Sequence, residues 1–410
     1  MGTKLLKHAC ALFLFLAWLL LAGCEGSSSA GNPATTPPPI LTQTVYIASM
    51  SGLSAYQVSD GKQDWRFQPS STPLFSAQEP LALANRVVYW VADKLYALDA
   101  SDGKPRWSAP VGDSPGAVYT SGNLVYVLSS DVLYAFNTGD GTLRWRQQLQ
   151  YSQDTTAKLL LEHGALYAVN GANLTALHTD SGAVQWQFNL DPGLGDSITD
   201  IFLVGNTLLV WSPTTLDGLD ASNGHVHWHK DTQAQDLRVV GNTVYTIFID
   251  VPDGGLGNIV TGLRALRMQD GMQLWQVNAP VQDGQASFIT DETFFRAIGP
   301  TRGDVEARSI QDGHQLWQMP SGNTFIDLTA DGGTLYLETQ QGEVNALHAT
   351  DGKQLWQYQG TSGDLSLSLV DHVLYLVGKD SGEVIALDPI KGTQLWHLAL
   401  GNSISALFVI

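Results

Sequence analysis

The sequence predicts an all-β fold, a single β-propeller built of four-stranded antiparallel blades. Three observations lead to this prediction. A motif that ends in tryptophan recurs nine times after residue 44, at intervals of about 40 residues. Two further strand-like runs, separated by turn residues, lie between one motif and the next. No apolar pattern with the helical period of about 3.6 residues recurs, which excludes a helical-repeat solenoid.

The motif contains three recurring columns, and its clearest copy is LYALDASDGKPRW, from Leu95 to Trp107. Each copy ends in one of these tryptophans: Trp65, Trp107, Trp145, Trp186, Trp228, Trp275, Trp317, Trp356 and Trp396. Four positions earlier stands one of these glycines: Gly61, Gly103, Gly141, Gly182, Gly224, Gly271, Gly313, Gly352 and Gly392. Ten positions before each tryptophan stands alanine, except for Gly218 in the fifth copy.

Each column has a physical reason. A short apolar run such as LYALD is typical of a buried strand. The glycine that follows tolerates the positive φ that a tight hairpin requires. The tryptophan then falls on the next strand, where it can cover a large apolar area between neighbouring sheets if its indole N–H finds an acceptor. Each unit is therefore predicted to be one blade that packs against the next.

The two ends of the repeat region complement each other. Val45 to Ala48 reads as the second strand of a unit that lacks its first strand, whereas residues 403–410 read as a first strand with nothing after it. A propeller must close its ring, so residues 403–410 are predicted to pair within the blade that contains Trp65. This gives nine blades. Eight is the alternative, with the seventh copy the weakest because Arg308 replaces a leucine or an aromatic residue.

The Ala-x5-Gly-x3-Trp repeat resembles that of the pyrroloquinoline-quinone-enzyme-like propellers and covers almost all of residues 45–410. A WD40 propeller is disfavoured because no Trp-Asp dipeptide occurs. A start that ends in Leu21-Ala22-Gly23-Cys24, as in a lipoprotein, followed by a bare propeller is also similar to the lipoprotein propeller scaffold of the outer-membrane β-barrel assembly machinery. This resemblance rests on architecture, so what it implies about function is an expectation.

Residues 1–23 are predicted to be a lipoprotein signal peptide, because a basic start and an apolar stretch lead into Leu-Ala-Gly before Cys24. The arrangement resembles a bacterial lipobox, which implies cleavage before Cys24 and its acylation. A transmembrane helix is disfavoured, since a span needs about 20 apolar residues. Residues 24–40 are predicted to form the acylated cysteine with a flexible Ser/Pro tether, and residues 41–410 to form the propeller.

Composition excludes several classes of protein. The chain has 410 residues, 44% of them hydrophobic, and a formal charge of -18. The hydrophobic content excludes an intrinsically disordered chain, and the negative charge argues against nucleic-acid binding. Both cysteines, Cys10 and Cys24, precede the repeats. The propeller therefore has no disulfide and no thiolate metal site.

Two functions are weighed for such a propeller. The first is a quinoprotein dehydrogenase, which the family resemblance implies would use a catalytic Asp, calcium and, in many members, a disulfide between adjacent cysteines. No adjacent cysteines occur here, and no motif places a catalytic Asp. We therefore predict the second function, a non-catalytic protein-interaction scaffold without a cofactor. The alternative function is a quinoprotein dehydrogenase-like enzyme or a ligand sensor.

Acidic loops are the candidate partner-binding sites. The segments 191–200 and 250–261 are acidic and extended, and they contribute Asp191, Asp196, Asp250 and Asp253; the longest, 250–261, departs most from the repeat. They are expected on the face that carries the connections after each tryptophan strand and between second and third strands. A basic or metal-bridged partner would bind such a rim. The alternative is that these loops are solvated turns of an acidic protein.

Three histidines form a candidate metal site. His225, His227 and His229 alternate around Trp228, so period-2 geometry would place them on one face of an outer strand. The spacing along a strand makes a shared ion strained. We therefore expect no metal, and interpret the three histidines as a half-exposed edge.

These observations define the expected setting. The protein is expected to be exported and lipid-anchored on the extracytoplasmic side of a cell membrane, as a monomeric propeller. Its expected partners are envelope or membrane proteins, which would bind the loop face of the propeller, and the membrane itself through the lipid anchor. A tether of this kind would raise the effective concentration of the propeller near membrane-bound partners.

Overall fold

The structure is a computed structural model of the full chain. It describes residues 43–49, 51–69, 81–112, 115–150, 157–190, 197–250, 260–278, 287–298, 304–320, 325–331, 333–339, 341–360 and 365–409. These residues belong to one compact unit, Thr42–Ile410. The predicted signal peptide, Cys24 and the whole predicted tether lie outside the described residues.

The described residues form nine four-stranded antiparallel sheets and contain no helix. From the inner to the outer strand, blade one contains β36 (Ile404–Val409), β1 (Thr44–Ser49), β2 (Gly52–Gln57) and β3 (Gln63–Phe67). Blade two contains β4 (Leu81–Ala84), β5 (Val87–Val91), β6 (Leu95–Asp99) and β7 (Pro105–Ala109). Blade three contains β8 (Pro115–Ser121), β9 (Leu124–Ser129), β10 (Val132–Asn137) and β11 (Leu143–Gln148).

The middle blades follow the same order. Blade four contains β12 (Ala157–Glu162), β13 (Ala165–Asn170), β14 (Asn173–His178) and β15 (Val184–Asn189). Blade five contains β16 (Asp200–Val204), β17 (Thr207–Trp211), β18 (Thr215–Asp220) and β19 (Val226–Asp231). Blade six contains β20 (Gln233–Val240), β21 (Thr243–Asp250), β22 (Val260–Arg267) and β23 (Gln273–Asn278).

The last three blades complete the ring. Blade seven contains β24 (Ser287–Ile289), β25 (Thr293–Ile298), β26 (Asp304–Ser309) and β27 (Gln315–Pro320). Blade eight contains β28 (Phe325–Asp331), β29 (Thr334–Thr339), β30 (Glu343–His348) and β31 (Gln354–Gln359). Blade nine contains β32 (Leu365–Val370), β33 (Val373–Gly378), β34 (Glu383–Leu387) and β35 (Gln394–Ala399). Within the described ranges, no helix has the length and hydropathy that a membrane crossing requires.

The ring closes where the two chain ends share blade one, as the sequence predicts. β36 pairs antiparallel with β1, and Val409, Phe408 and Leu407 lie opposite Val45, Tyr46 and Ile47. The indole of Trp396 also donates to the carbonyl of Val58, at 2.6 Å, across the boundary between blades nine and one. Main-chain pairing within blade one and an indole contact to blade nine therefore hold the closure together.

Each motif tryptophan acts as a wedge between two blades, and every one finds the acceptor that its burial requires. Trp65 donates to Ala100 O at 2.9 Å, and the other indoles donate to the equivalent turn of the following blade. The turn glycine lies under the ring: a Cβ on Gly103 would stand 2.4 Å from Cε3 of Trp65. Gly103 must therefore be a glycine for two reasons: its φ is 68°, and a side chain would collide with the tryptophan ring.

The seventh copy forms a regular blade, so the count is nine and the eight-blade alternative is wrong. Arg308 takes the leucine position, but its guanidinium binds both carboxylate oxygens of Glu306, at 2.9 and 3.0 Å. Arg296 contacts the same carboxylate from β25. A buried acid therefore compensates for the charged substitution.

The core lies between the blades. One cluster joins Val87, Tyr89 and Leu95 of blade two to Val125 and Phe136 of blade three. Similar clusters join the other consecutive blades from blade one through blade nine. A blade cannot bury its two faces alone, so stability depends on the complete ring.

Candidate interaction face

Antiparallel order assigns the connections of each blade to two faces of the ring. The connections from each outer strand to the next blade, and from the second to the third strand, lie on one face, here called the loop face. The motif turns lie on the opposite face, here called the turn face. Asp250 is the last residue of β21 and so lies at the loop face.

Asp250 is held by a partner in its own blade and by one in the connection from blade five. Arg264, with a side chain only 3% exposed, pairs with the Asp250 carboxylate. Thr232 donates to the other Asp250 oxygen at 2.9 Å. Arg264 also donates to Gln276 at 3.1 Å and lies 3.8 Å above the ring of Phe248. Asp250 therefore neutralises a buried arginine, a role that the sequence did not reveal.

The other predicted acids cannot be placed in the same way. Asp191, Asp196 and Asp253 lie outside the described residues, as does Cys24. Asp191 and Asp196 belong to the segment that connects β15 of blade four to β16 of blade five. Their partner-binding role stays a prediction.

Inner strands near the loop face carry acids that link neighbouring blades. Asp200 of β16 pairs with Lys158 of β12 at 2.6 Å. Ser287 of β24 donates to Asp236 of β20. No motif in the sequence marks these contacts, because their partners are about 40 residues or more apart and belong to different repeats.

A third inner-strand acid, Asp327 of β28, is buried. It accepts from the backbone N–H groups of Leu328 and, across to blade nine, Leu367, both at 2.8 Å. Burial raises the pKa of Asp327 to about 6, although both backbone hydrogen bonds act in the opposite direction. This carboxyl can therefore exchange a proton in mildly acidic conditions at a blade boundary.

The structure separates the three histidines that the sequence groups together. His225 lies in the turn before β19, where its backbone N–H donates to Asn223. A register shift in the pairing of β18 with β19 interrupts the alternation at His227, which lies 3.6 Å from Asp220. His229 lies between Asp217 at 2.7 Å and Asp231 at 3.0 Å. In the described part of the chain, no group of three or more His, Cys, Asp or Glu side chains could hold a metal ion.

The two aspartates give His229 a distinct electrostatic environment. The hydrogen bond from His229 to Asp217 is the main cause that raises the pKa of His229, and Asp231 acts in the same direction. Half of the imidazole is solvent-exposed, so the effect on stability is screened. The arrangement is a surface charge cluster at the end of an outer strand.

The repeats that build this ring match a known protein family. The sequence matches the family described as outer membrane protein assembly factor BamB, over residues 28–117, 49–193, 129–292, 170–325 and 260–405. The chain belongs to this family. The overlapping matches together span residues 28–405, which contain every motif tryptophan, so the repeat that forms the blades is the repeat of the family.

Two solved structures resemble this chain at low sequence identity. The solved BamB of Moraxella catarrhalis is 20% identical, with a TM-score of 0.51, over 73% of this chain and 90% of that one. Dihydro-heme d1 dehydrogenase NirN is 11% identical, with a TM-score of 0.53, over 92% of this chain and 77% of that one. At such identities the likeness establishes the fold alone.

A curated relative matches part of the ring. The serine/threonine-protein kinase AfsK of Streptomyces griseus is 27% identical over 205 residues, which are 47% of this chain and 21% of the kinase. This chain therefore matches about a fifth of the length of that relative. The fold thus occurs in proteins named as BamB and as a dehydrogenase, and a sequence similar to part of the repeat region occurs in a protein named as a kinase.

Proposed function

We propose that this protein is an exported, lipid-anchored, non-catalytic scaffold of the cell envelope, which binds other envelope proteins through its loop face. The observation that carries the proposal is membership of the BamB family through the whole closed ring. The lipobox-like sequence before Cys24 supports export and anchoring. A rigid ring with many connections on one face suits a wide protein contact.

The residues do not fit a quinone site of the kind that the family resemblance implies. Cys10 and Cys24 are the only cysteines, so no adjacent pair can form a disulfide. The described residues offer no three-ligand carboxylate or histidine set for calcium. Both oxygens of the buried Asp327 already accept backbone hydrogen bonds. These features favour a scaffold over a quinoprotein dehydrogenase or a quinone sensor.

The loop face can be tested by site-specific photo-crosslinking in intact cells. A photo-crosslinking amino acid at Asp231, where the side chain is 91% exposed at the loop face, should trap a discrete envelope protein. The matched control is Ile390, 83% exposed in a motif turn on the opposite face. Equal crosslinking from both positions, or none from Asp231, would contradict the proposed face.

Anchoring has its own test. Cys24→Ser should release the protein from the membrane fraction into the soluble exported fraction, because the acylation site is lost. Unchanged membrane retention would refute the lipid anchor.

The catalytic alternative is also tested directly. Addition of pyrroloquinoline quinone with calcium to the purified protein should leave its melting temperature unchanged and produce no dye-linked alcohol oxidation. A quinone-dependent activity would overturn the scaffold proposal.

A further inference from the structure

In several copies of the motif, the side chain two positions after the tryptophan packs toward the next blade. The ring of Phe67 lies 5.0 Å from that of Tyr96 in blade two. Phe188 packs against the core shared by blades four and five. Val277 and Met319 reach the turn glycines of blades seven and eight. A large side chain at this position therefore fills the crevice beside the next blade.

Blade two departs from this pattern. Its residue at this position is Ala109, the smallest among the nine copies. The crevice between blades two and three is open, with a volume of about 460 Å³. Pockets that accept ligand groups commonly range from about 300 to 1,000 Å³. Ala109 thus leaves room for a side chain that the protein itself does not supply.

The walls of this crevice are mainly apolar and aromatic. They include Val111, Tyr134, Phe136 and Leu143. The rings of Tyr134 and Phe136 are stacked, with their centroids 5.9 Å apart and an angle of 11° between their planes. A further planar aromatic group can extend this stack in an offset arrangement.

Two arginines give the crevice a positive rim. Arg146 lines it and lies opposite Tyr134 in the pairing of β10 with β11, while Arg144 is exposed nearby on β11. Neither guanidinium forms a hydrogen bond or ion pair with another described residue. On blade two, by contrast, Arg106 pairs with Asp99 at 2.7 Å. Two uncompensated arginines in a chain of charge -18 favour a carboxylate-bearing ligand.

We propose that this crevice binds an aromatic side chain from an acidic segment of a partner protein. The aromatic ring takes the place that Phe67 occupies at the preceding blade boundary, and a neighbouring carboxylate pairs with Arg146. Buried aromatic anchors beside charged rims are typical of protein-interaction hot spots. The site lies on the outer wall of the ring, so its existence does not depend on the loop face or on the lipid anchor.

The probe is a short peptide with one tryptophan between two aspartates, titrated into the full-length protein by calorimetry. Binding should weaken at least tenfold when lysines replace the aspartates, because the charge then opposes Arg144 and Arg146. It should also weaken at least tenfold when alanine replaces the tryptophan. Equal binding of the lysine peptide would overturn the proposal.

Two variants locate the site. Ala109→Phe should fill the crevice as Phe67 does elsewhere and weaken peptide binding at least tenfold, whereas the matched control Ala109→Ser should bind as the wild type does. Arg146→Glu alters an exposed side chain and should also weaken binding at least tenfold, with an unchanged melting temperature. It therefore keeps the test valid if Ala109→Phe fails to fold. Wild-type affinity in either folded variant would refute the site.

A second copy of this chain is the competing occupant. Sedimentation of the protein without peptide distinguishes the two. Monomeric behaviour at high concentration supports a foreign partner. Self-association that Ala109→Phe abolishes would overturn the proposal in favour of a homo-oligomer.

Discussion

Two blade interfaces use the same repeat to bury different chemistry. Between blades two and three the core is apolar, with Tyr134 at the position before the motif alanine. In blade seven that position is Glu306, buried between Arg296 and Arg308. These two sites are called the apolar interface and the charged interface below. Both interfaces keep the tryptophan wedge, Trp107 between blades two and three and Trp275 between blades six and seven, with its hydrogen bond to the next blade.

The comparison teaches that the wedge and turn columns define the blade geometry, while the position before the alanine is free to vary. The third, or motif, strands of blades four to eight carry Thr175, Asp217, Arg264, Glu306 and Asn345 there. A buried charge is tolerated only with a partner, because desolvation of an isolated ion costs several kcal/mol. Each charged member of this set accordingly has an ionic partner.

The largest effect is expected at the charged interface. Glu306→Leu leaves Arg296 and Arg308 without a counterion, and should lower the free energy of unfolding by about 3–5 kcal/mol. Tyr134→Leu, at the equivalent place in the apolar interface, should cost about 1–3 kcal/mol. Denaturant unfolding measures both.

A triple variant serves as the control. Arg296→Met, Glu306→Leu and Arg308→Leu together replace the charged group by apolar side chains of the kind that other blades use, and should recover most of the stability. The interpretation would be wrong if Glu306→Leu cost no more than Tyr134→Leu.

A second prediction concerns a buried acid outside the charged interface, Asp327 on the inner strand of blade eight. The pKa of Asp327 is about 6 in the folded protein against 3.8 as its ordinary value, so folding favours the protonated form. Stability from this carboxyl is therefore present below pH 3.8 and is lost as the pH rises through about 6, by about 3 kcal/mol. Asp327→Asn should remove this dependence, as measured by unfolding at pH 4 to 7.

The exposed Asp380 supplies the matched control. Asp380→Asn should preserve the wild-type pH profile. If Asp327→Asn also preserved that profile, burial of Asp327 would not control its protonation.

A third prediction concerns the wedge that both interfaces share. Gly103 and Gly122 have φ values of 68° and 58°, but only a Cβ on Gly103 would meet a tryptophan ring. Gly122→Ala should cost about 1–2 kcal/mol through backbone strain alone. Gly103→Ala should cost about 1–3 kcal/mol more because it also displaces Trp65. Equal losses in thermal stability would mean that the contact with the ring contributes nothing.

The smallest effect is expected at His229. Its pKa is raised by Asp217, so its stabilisation is full below the ordinary value of 6.5 and is lost as the pH rises through the folded value. Solvent exposure limits the contribution to less than about 1 kcal/mol. The melting temperature of His229→Gln should approach that of the wild type between pH 6 and pH 8. A constant difference would contradict this assignment.

The columns that repeat could be predicted from the sequence, whereas contacts specific to one blade could not. Glycine, tryptophan and the complementary ends led directly to nine blades and to closure by residues 403–410. The Arg264–Asp250 pair and the opening at Ala109 involve residues that depart from the repeat, and their partners lie on other strands. His225 was placed on a strand because a strict period of two does not anticipate the register shift beside Gly218.

Ring closure is the claim on which the whole account depends, and an engineered disulfide tests it most directly. Ala48 of β1 lies opposite Ala406 of β36, within the range that cross-strand cysteines can bridge. In a Cys24→Ser background, mild oxidation of Ala48→Cys/Ala406→Cys should give a crosslinked chain with a raised melting temperature. Ala48→Cys/Ala386→Cys, with its second cysteine in blade nine, should stay reduced. Failure of the first pair to crosslink, or equal crosslinking of both, would contradict a ring closed by its two ends.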